Sequence, residues 1–108
     1  PAQMVDSLTT LFKTLKTVKR AFLCSIKESA DAPANLLIGI EAEGDIESVI
    51  QTTGSVATDT LPGDEPIDIC QVVEGEKGIS HFMIAHITPF YEKRWGSFLR
   101  DFKQNRII

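Results

Sequence analysis

Residues 35–70 read NLLIGIEAEGDIESVIQTTGSVATDTLPGDEPIDIC, and the fold turns on this stretch. Leu36 to Ile40 is almost continuously apolar, as in a strand that lies inside its sheet. Gly44 ends the run, and Asp45 follows as a helix N-cap whose carboxylate can accept first-turn N–H groups. Ile46, Val49, Ile50 and Thr53 then form one buried helical face, which continues to Ala57 beyond Gly54. LPGDEP is a turn cluster, with Pro62 and Gly63 suited to the two central positions of a type II turn. IDICQVV, residues 67–73, is a second apolar strand anchored by Ile67, Ile69, Val72 and Val73. Strand, helix and strand in this succession make a right-handed parallel crossover.

The flanking segments extend the pattern. Residues 20–27, RAFLCSIK, set Phe22, Cys24 and Ile26 against Leu23, Ser25 and Lys27, which is a strand period. The short loop ESADAPAN joins this strand to the next, so the two should pair antiparallel. Residues 2–16 carry Val5, Leu8, Phe12 and Leu15 as one helical stripe with Leu11 on its flank. After the loop EGEKG, Ser80 has the type and position of an N-cap, with Ile79 and Ile84 placed as a hydrophobic staple. That helix should stop near Thr88, because the residue before Pro89 avoids helical geometry. Thr88 and Pro89 also suit the start of a last helix. In it Tyr91, Trp95, Phe98 and Phe102 fall on one aromatic stripe, and Gly96 weakens it by about 1 kcal/mol. The order α-β-β-α-β-α-α predicts an α+β two-layer sandwich with a three-stranded mixed sheet.

With 108 residues the chain is expected to be one domain, and 43% hydrophobic content with 24% charge fits a soluble globular protein. No apolar run approaches the ~20 residues that span a bilayer, and no secretory leader is evident, so a cytoplasmic location is expected. The chain opens on Pro1, not methionine, and reads as an excised piece of a longer protein. Cys24 and Cys70 match no metal-ligand spacing and sit in apolar runs, as reduced, buried thiols would. Charge is unevenly spread. Lys13, Lys16, Lys19 and Arg20 make the beginning basic, and Lys93, Arg94, Arg100, Lys103 and Arg106 do the same at the end. Residues 21–91 hold twelve acids against only Lys27 and Lys77. Internal pairing of the basic ends with the acidic middle explains this, and so does a basic contact surface.

No catalytic constellation emerges. His81 and His86 are five apart, about 140° around a helix, and cannot share a metal as an i, i+4 pair does. Residues 54–64, GSVATDTLPGD, have the glycines and hydroxyls of a phosphate loop but lack its Lys-Ser/Thr, and their acids repel phosphate. They read as an ordinary solvated loop. Neither cysteine has an activating context, and no nucleophile elbow is present. YEKRW…FLRDFK interleaves aromatic and basic residues, yet the aromatics share one face and the cations fall mostly off it. That arrangement suits packing on protein better than single-stranded nucleic acid. Core packing is one role for the stripe; an interface is the other, since Tyr, Trp and Arg are enriched at binding hot spots.

The stretches VDSLTTLFKTLK, LLIGIEAEGDIE, GSVATDTLPGDEPIDIC, GEKGISHF and PFYEKRWGSFLRDFKQNRII together resemble the C-terminal domain of the enterobacterial enhanced-serine-sensitivity (SseB) family, over the whole chain. The resemblance implies a domain that follows a separate N-terminal one, and it carries over no catalytic residue, metal or cofactor. The expected function is therefore a non-catalytic protein-interaction or regulatory module. Its candidate contact residues are Tyr91, Arg94, Trp95, Phe98 and Phe102, and its partner is a protein or a second copy, not nucleic acid or membrane. An amino-acid sensor is the alternative, since the helix and strand order equals a ferredoxin-like order without its first strand and the family name records serine tolerance. An enzyme with an unrecognised site is the third.

Overall fold

The computed structural model describes residues 1–61 and 66–93. Seven elements follow in order: α1 (Ala2–Thr14), β1 (Val18–Ile26), β2 (Asn35–Ala42), α2 (Ile46–Thr60), β3 (Ile67–Gln71), α3 (Ile79–His86) and β4 (Tyr91–Glu92). The fold is α+β, and the sheet runs β3-β2-β1-β4. β1 and β2 are antiparallel, and β2 and β3 are parallel, as the loop and the helical crossover between them require.

Alternation along the strands sends side chains to two faces. Ile38, Ile40 and Ala21 point to one, where they meet Met4, Leu8 and Phe12 of α1 and Val49 and Ala57 of α2. Phe22, Leu37 and Val72 point to the other, where Met83 of α3 covers them. An irregularity between Val18 and Arg20 shifts the β1 register, which brings Val18 to the α1 and α2 side along with Ala21.

The expected two-layer sandwich is thus corrected: helices lie on both faces of the sheet. The device that admits α3 is Gly39. A Cβ there would collide with the Met83 sulfur and stand 2.7 Å from Val72 Cγ2, so the missing side chain is the seat of α3.

The α2 helix starts as the sequence indicates. Gly44 takes a φ of +77°, open to glycine at little cost, and Asp45 Oδ1 accepts from Ser48 N–H at 3.2 Å. Asp45→Ala should cost about 1 kcal/mol, read as a lower urea midpoint at unchanged slope; no change would show that the cap is idle. The helical face runs on to Ala57 as expected, and residues 54–60, also expected in a solvated loop, complete α2. Within that stretch the Thr60 hydroxyl is satisfied inside the helix, donating to Val56 O at 2.7 Å, as the Thr53 hydroxyl just before it does to Val49 O at 2.7 Å.

Two further expectations are corrected at the C-terminal side. Ser80 is not the N-cap of α3; Gly78 holds that position. Ser80 is buried in the first turn, and its Oγ accepts from Val73 N–H at 3.1 Å, joining α3 to the end of β3. The staple fails with it, for Ile79 is 40% exposed. The helix expected from Thr88 and Pro89 does not start there, and the three-stranded sheet gains a fourth strand. Tyr91 and Glu92 lie beside Ala21 and Arg20 of β1. Phe90 N–H donates to Ala21 O at 2.9 Å, and Lys93 N–H to Lys19 O at 2.8 Å. The rings of Phe90 and Tyr91 settle 6.2 Å and 5.6 Å from that of Phe12. Pro89 fixes only φ, which suits an extended chain as well as a helical start.

Candidate functional site

Of the residues expected to form a contact surface, Tyr91 belongs to β4 and is half-buried against Phe12. Burial raises its phenol pKa. Arg94, Trp95, Phe98 and Phe102 lie outside the described residues.

α3 offers a surface that sequence periodicity underrated. Its sequence ISHFMIAH is apolar on most sides, so one face cannot satisfy it. Met83 is fully buried at Gly39, yet its neighbour Phe82, about 100° further round the helix, is 44% exposed. His86 lies 5.5 Å from the Phe82 ring, and both His81 and His86 are exposed. The two histidines do not converge. Among the described residues no group of three or more His, Cys, Asp or Glu is placed to hold a metal ion.

A second feature is a cleft of about 240 Å³ lined by Lys19, Glu41, Glu43, Gln71, Val73 and Glu74, among others. It lies at the carboxyl ends of β2 and β3, where ligands of sheets with parallel strands commonly sit. Arg20 Nε meets Glu41 Oε1 at 2.6 Å, and Lys19 Nζ meets Glu43 Oε1 at 2.8 Å. These pairs join the basic beginning of the chain to its acidic middle. The guanidinium of Arg20 also stands 5.5 Å from the centre of the Phe22 ring. The hydrogen bond to Lys19 lowers the Glu43 pKa, and the same bond raises that of Lys19. Support from Glu43 is present above the ordinary carboxylate range and is lost as pH falls through its lowered pKa. Support from Lys19 is lost as pH rises through its raised one. Both groups are exposed, so salt screens the pair.

Cys24 and Cys70 are both free and half-buried, more open than the buried thiols expected. Cys24 stands opposite Leu37 and Cys70 opposite Gly39, so β2 runs between them. Two strand spacings, about 10 Å, exceed the reach of a disulfide. Burial raises both thiol pKa values, and Cys24 and Asp68 push Cys70 up further. Iodoacetamide should therefore label both more slowly in the folded chain than in urea. Labelling should climb above the pH at which a free thiol levels off, the same range in which ionisation begins to favour unfolding. Fast labelling of either at neutral pH would mark a reactive thiol and overturn this.

Among the described residues the geometry defines a small α+β domain with a four-stranded mixed sheet and helices on both faces. The chain belongs to the family of the SseB protein C-terminal domain, whose profile matches residues 1–93. It is 81% identical over 108 residues to Protein SseB of Escherichia coli (strain K12), and equally to Protein SseB of Shigella flexneri. Those alignments cover all of this chain and 42% of each relative, so the chain spans less than half the length of the curated proteins it matches. No solved structure matches it. Among the described residues no helix is long and apolar enough to cross a membrane.

Proposed function

We propose that this domain is a non-catalytic protein-interaction or regulatory module, acting through contact. The observation that carries the reading is α3, a short, largely apolar helix that buries Met83 and leaves the large side chains of Phe82 and Ile79 exposed. A helix with apolar residues on its outer face is normally covered by something. Tyr91, Arg94, Trp95, Phe98 and Phe102 remain the residues that the sequence nominates for the same role. The test is capture of partners from the native cytoplasm by the full-length protein, with Phe82→Ser and Trp95→Ala as comparators. Loss of a specific partner in either variant, with circular dichroism unchanged, supports the reading. Equal capture by wild type and both variants would end it.

A second reading, a sensor of a small amino acid, is favoured by the cleft at the carboxyl ends of β2 and β3. The ferredoxin-like analogy no longer supports it. A split β-α-β arrangement keeps a strand between its two parallel strands, whereas here β2 and β3 pair directly. Lys19 and Arg20 are already paired with Glu43 and Glu41, so a ligand carboxylate would have to compete for them. Titration calorimetry with serine tests this reading, and the absence of heat at millimolar concentration would dismiss it.

A further inference from the structure

The parallel register of β2 and β3 fixes which way each main-chain group of β3 points. Leu36 N–H donates to Pro66 O at 3.4 Å, and Val72 N–H donates to Ile40 O at 2.8 Å. Even-numbered residues of β3 therefore turn their N–H and C=O groups toward β2. Ile67, Ile69 and Gln71 turn theirs outward, and among the described residues nothing pairs with them on that side. Among the described residues β3 is thus an open edge along its whole length. Natural edges are usually guarded by lysine, proline, a bulge or a covering loop. The outward residues here are two half-buried isoleucines and an exposed glutamine, with no charge among them.

We propose that this edge pairs with the same edge of a second copy, antiparallel and centred on Ile69, to make one continuous sheet across two chains. A two-fold contact must be self-complementary, and this one is. Centred there, Ile69 faces its own copy, and Ile67 faces Gln71, each exchanging both main-chain hydrogen bonds. Asp68 falls opposite Cys70, so the only charge on the strand avoids its like.

The helix above the edge leaves room for the partner. Gly54 of α2 lies over Ile69, where even an added Cβ would be 3.6 Å from Ile69 Cδ1. Gln51, Gly54, Ser55, Thr58 and Asp59 line a shallow groove of about 580 Å³ on α2. The two-fold axis stands perpendicular to the sheet and brings the two α2 helices side by side on one face. There the small side chains of Gly54 and Ser55 permit close approach. The contact also covers the exposed parts of Ile67 and Ile69. This inference is independent of the α3 surface and survives the failure of that reading, because the substitutions that test it lie neither in α3 nor after Glu92.

Sedimentation of the purified chain over a concentration series should show reversible dimers. Gln71→Pro removes one outward N–H from each copy without touching the β2 ladder or the core. It should weaken the dimer on the order of 100-fold in Kd and leave circular dichroism unchanged. Asp68→Cys, made with Cys24→Ser, places the new thiol opposite the second copy's Cys70 in a pair without main-chain hydrogen bonds. Its Cα spacing of about 4.5 Å suits a disulfide. Mild oxidation should then give a covalent dimer, a readout that stands even if Gln71→Pro fails to fold. A wild-type chain that stays monomeric throughout would overturn the proposal, whatever else binds the edge. So would a dimer that Gln71→Pro leaves intact and that Asp68→Cys does not cross-link, since it would place association on another surface.

Discussion

Phe12→Ala should destabilise the domain by about 3–5 kcal/mol, the usual cost of emptying a fully buried phenylalanine site. Phe12 is completely buried between α1 and the sheet, and its ring is the surface on which Phe90 and Tyr91 rest. The loss is therefore not confined to α1. β4 has only two residues and holds its place through few main-chain bonds, with those rings packed behind it. Removing the shared ring should release it. Urea denaturation measures the first effect as a fall in midpoint, a large share of the roughly 5–15 kcal/mol that stabilises a typical domain. Amide exchange at Phe90 and Lys93 measures the second, and both should lose protection. A cost near 1 kcal/mol with those amides still protected would show that β4 is held by something other than Phe12.

Gly39→Val carries the second large effect. The added side chain would occupy the space of the Met83 sulfur and press on Val72, so α3 must lift from the sheet or the strands must part. Overpacking of this kind costs about 1–3 kcal/mol. The upper end is expected, because the bare Cβ already overlaps two neighbours and valine adds two methyl groups. The response should be local: amides of α3 lose protection, while those of α1 and α2, on the other face, keep theirs. Met83→Ala provides the check. Combined with Gly39→Ala it should be less damaging than the two single costs together, by about 1 kcal/mol, because the smaller residue vacates the contested space. Simple additivity would mean that the two residues do not share that site.

Most of the α+β frame could be read from local chemistry. Asp45 was recognisable as a cap, Leu36 to Ile40 as a strand inside its sheet, and the helix between β2 and β3 as a crossover. The candidate site was far less legible. His81 and His86 attracted attention only because they are the chain's two histidines, and they turn out to be exposed. Tyr91 was assigned to an aromatic helical stripe because its spacing to Trp95 fits one. Spacing reports what a segment could bury if helical; it does not report that the edge of β1 stands open beside it. Phe82 drew no attention because one aromatic residue in an apolar helix resembles core. Its outward position follows only from Met83 having taken the inward one.

By itself, the sequence determined the identity and succession of the first five elements, the antiparallel and parallel senses of their pairing, and the family. Those features depend on residues close together in the chain: caps, turn residues, periodicity and short loops. Tertiary structure alone decided the fourth strand, the covering of the second sheet face and the place of Ser80. In each case a distant partner outbid a local preference. Ala21 O and the ring of Phe12 drew residues 90–92 into an extended chain. The gap at Gly39 received Met83, and the N–H of Val73 took the hydroxyl that would have capped α3. Periodicity carries no record of such partners, because packing and hydrogen-bond satisfaction are settled between segments brought together by the fold.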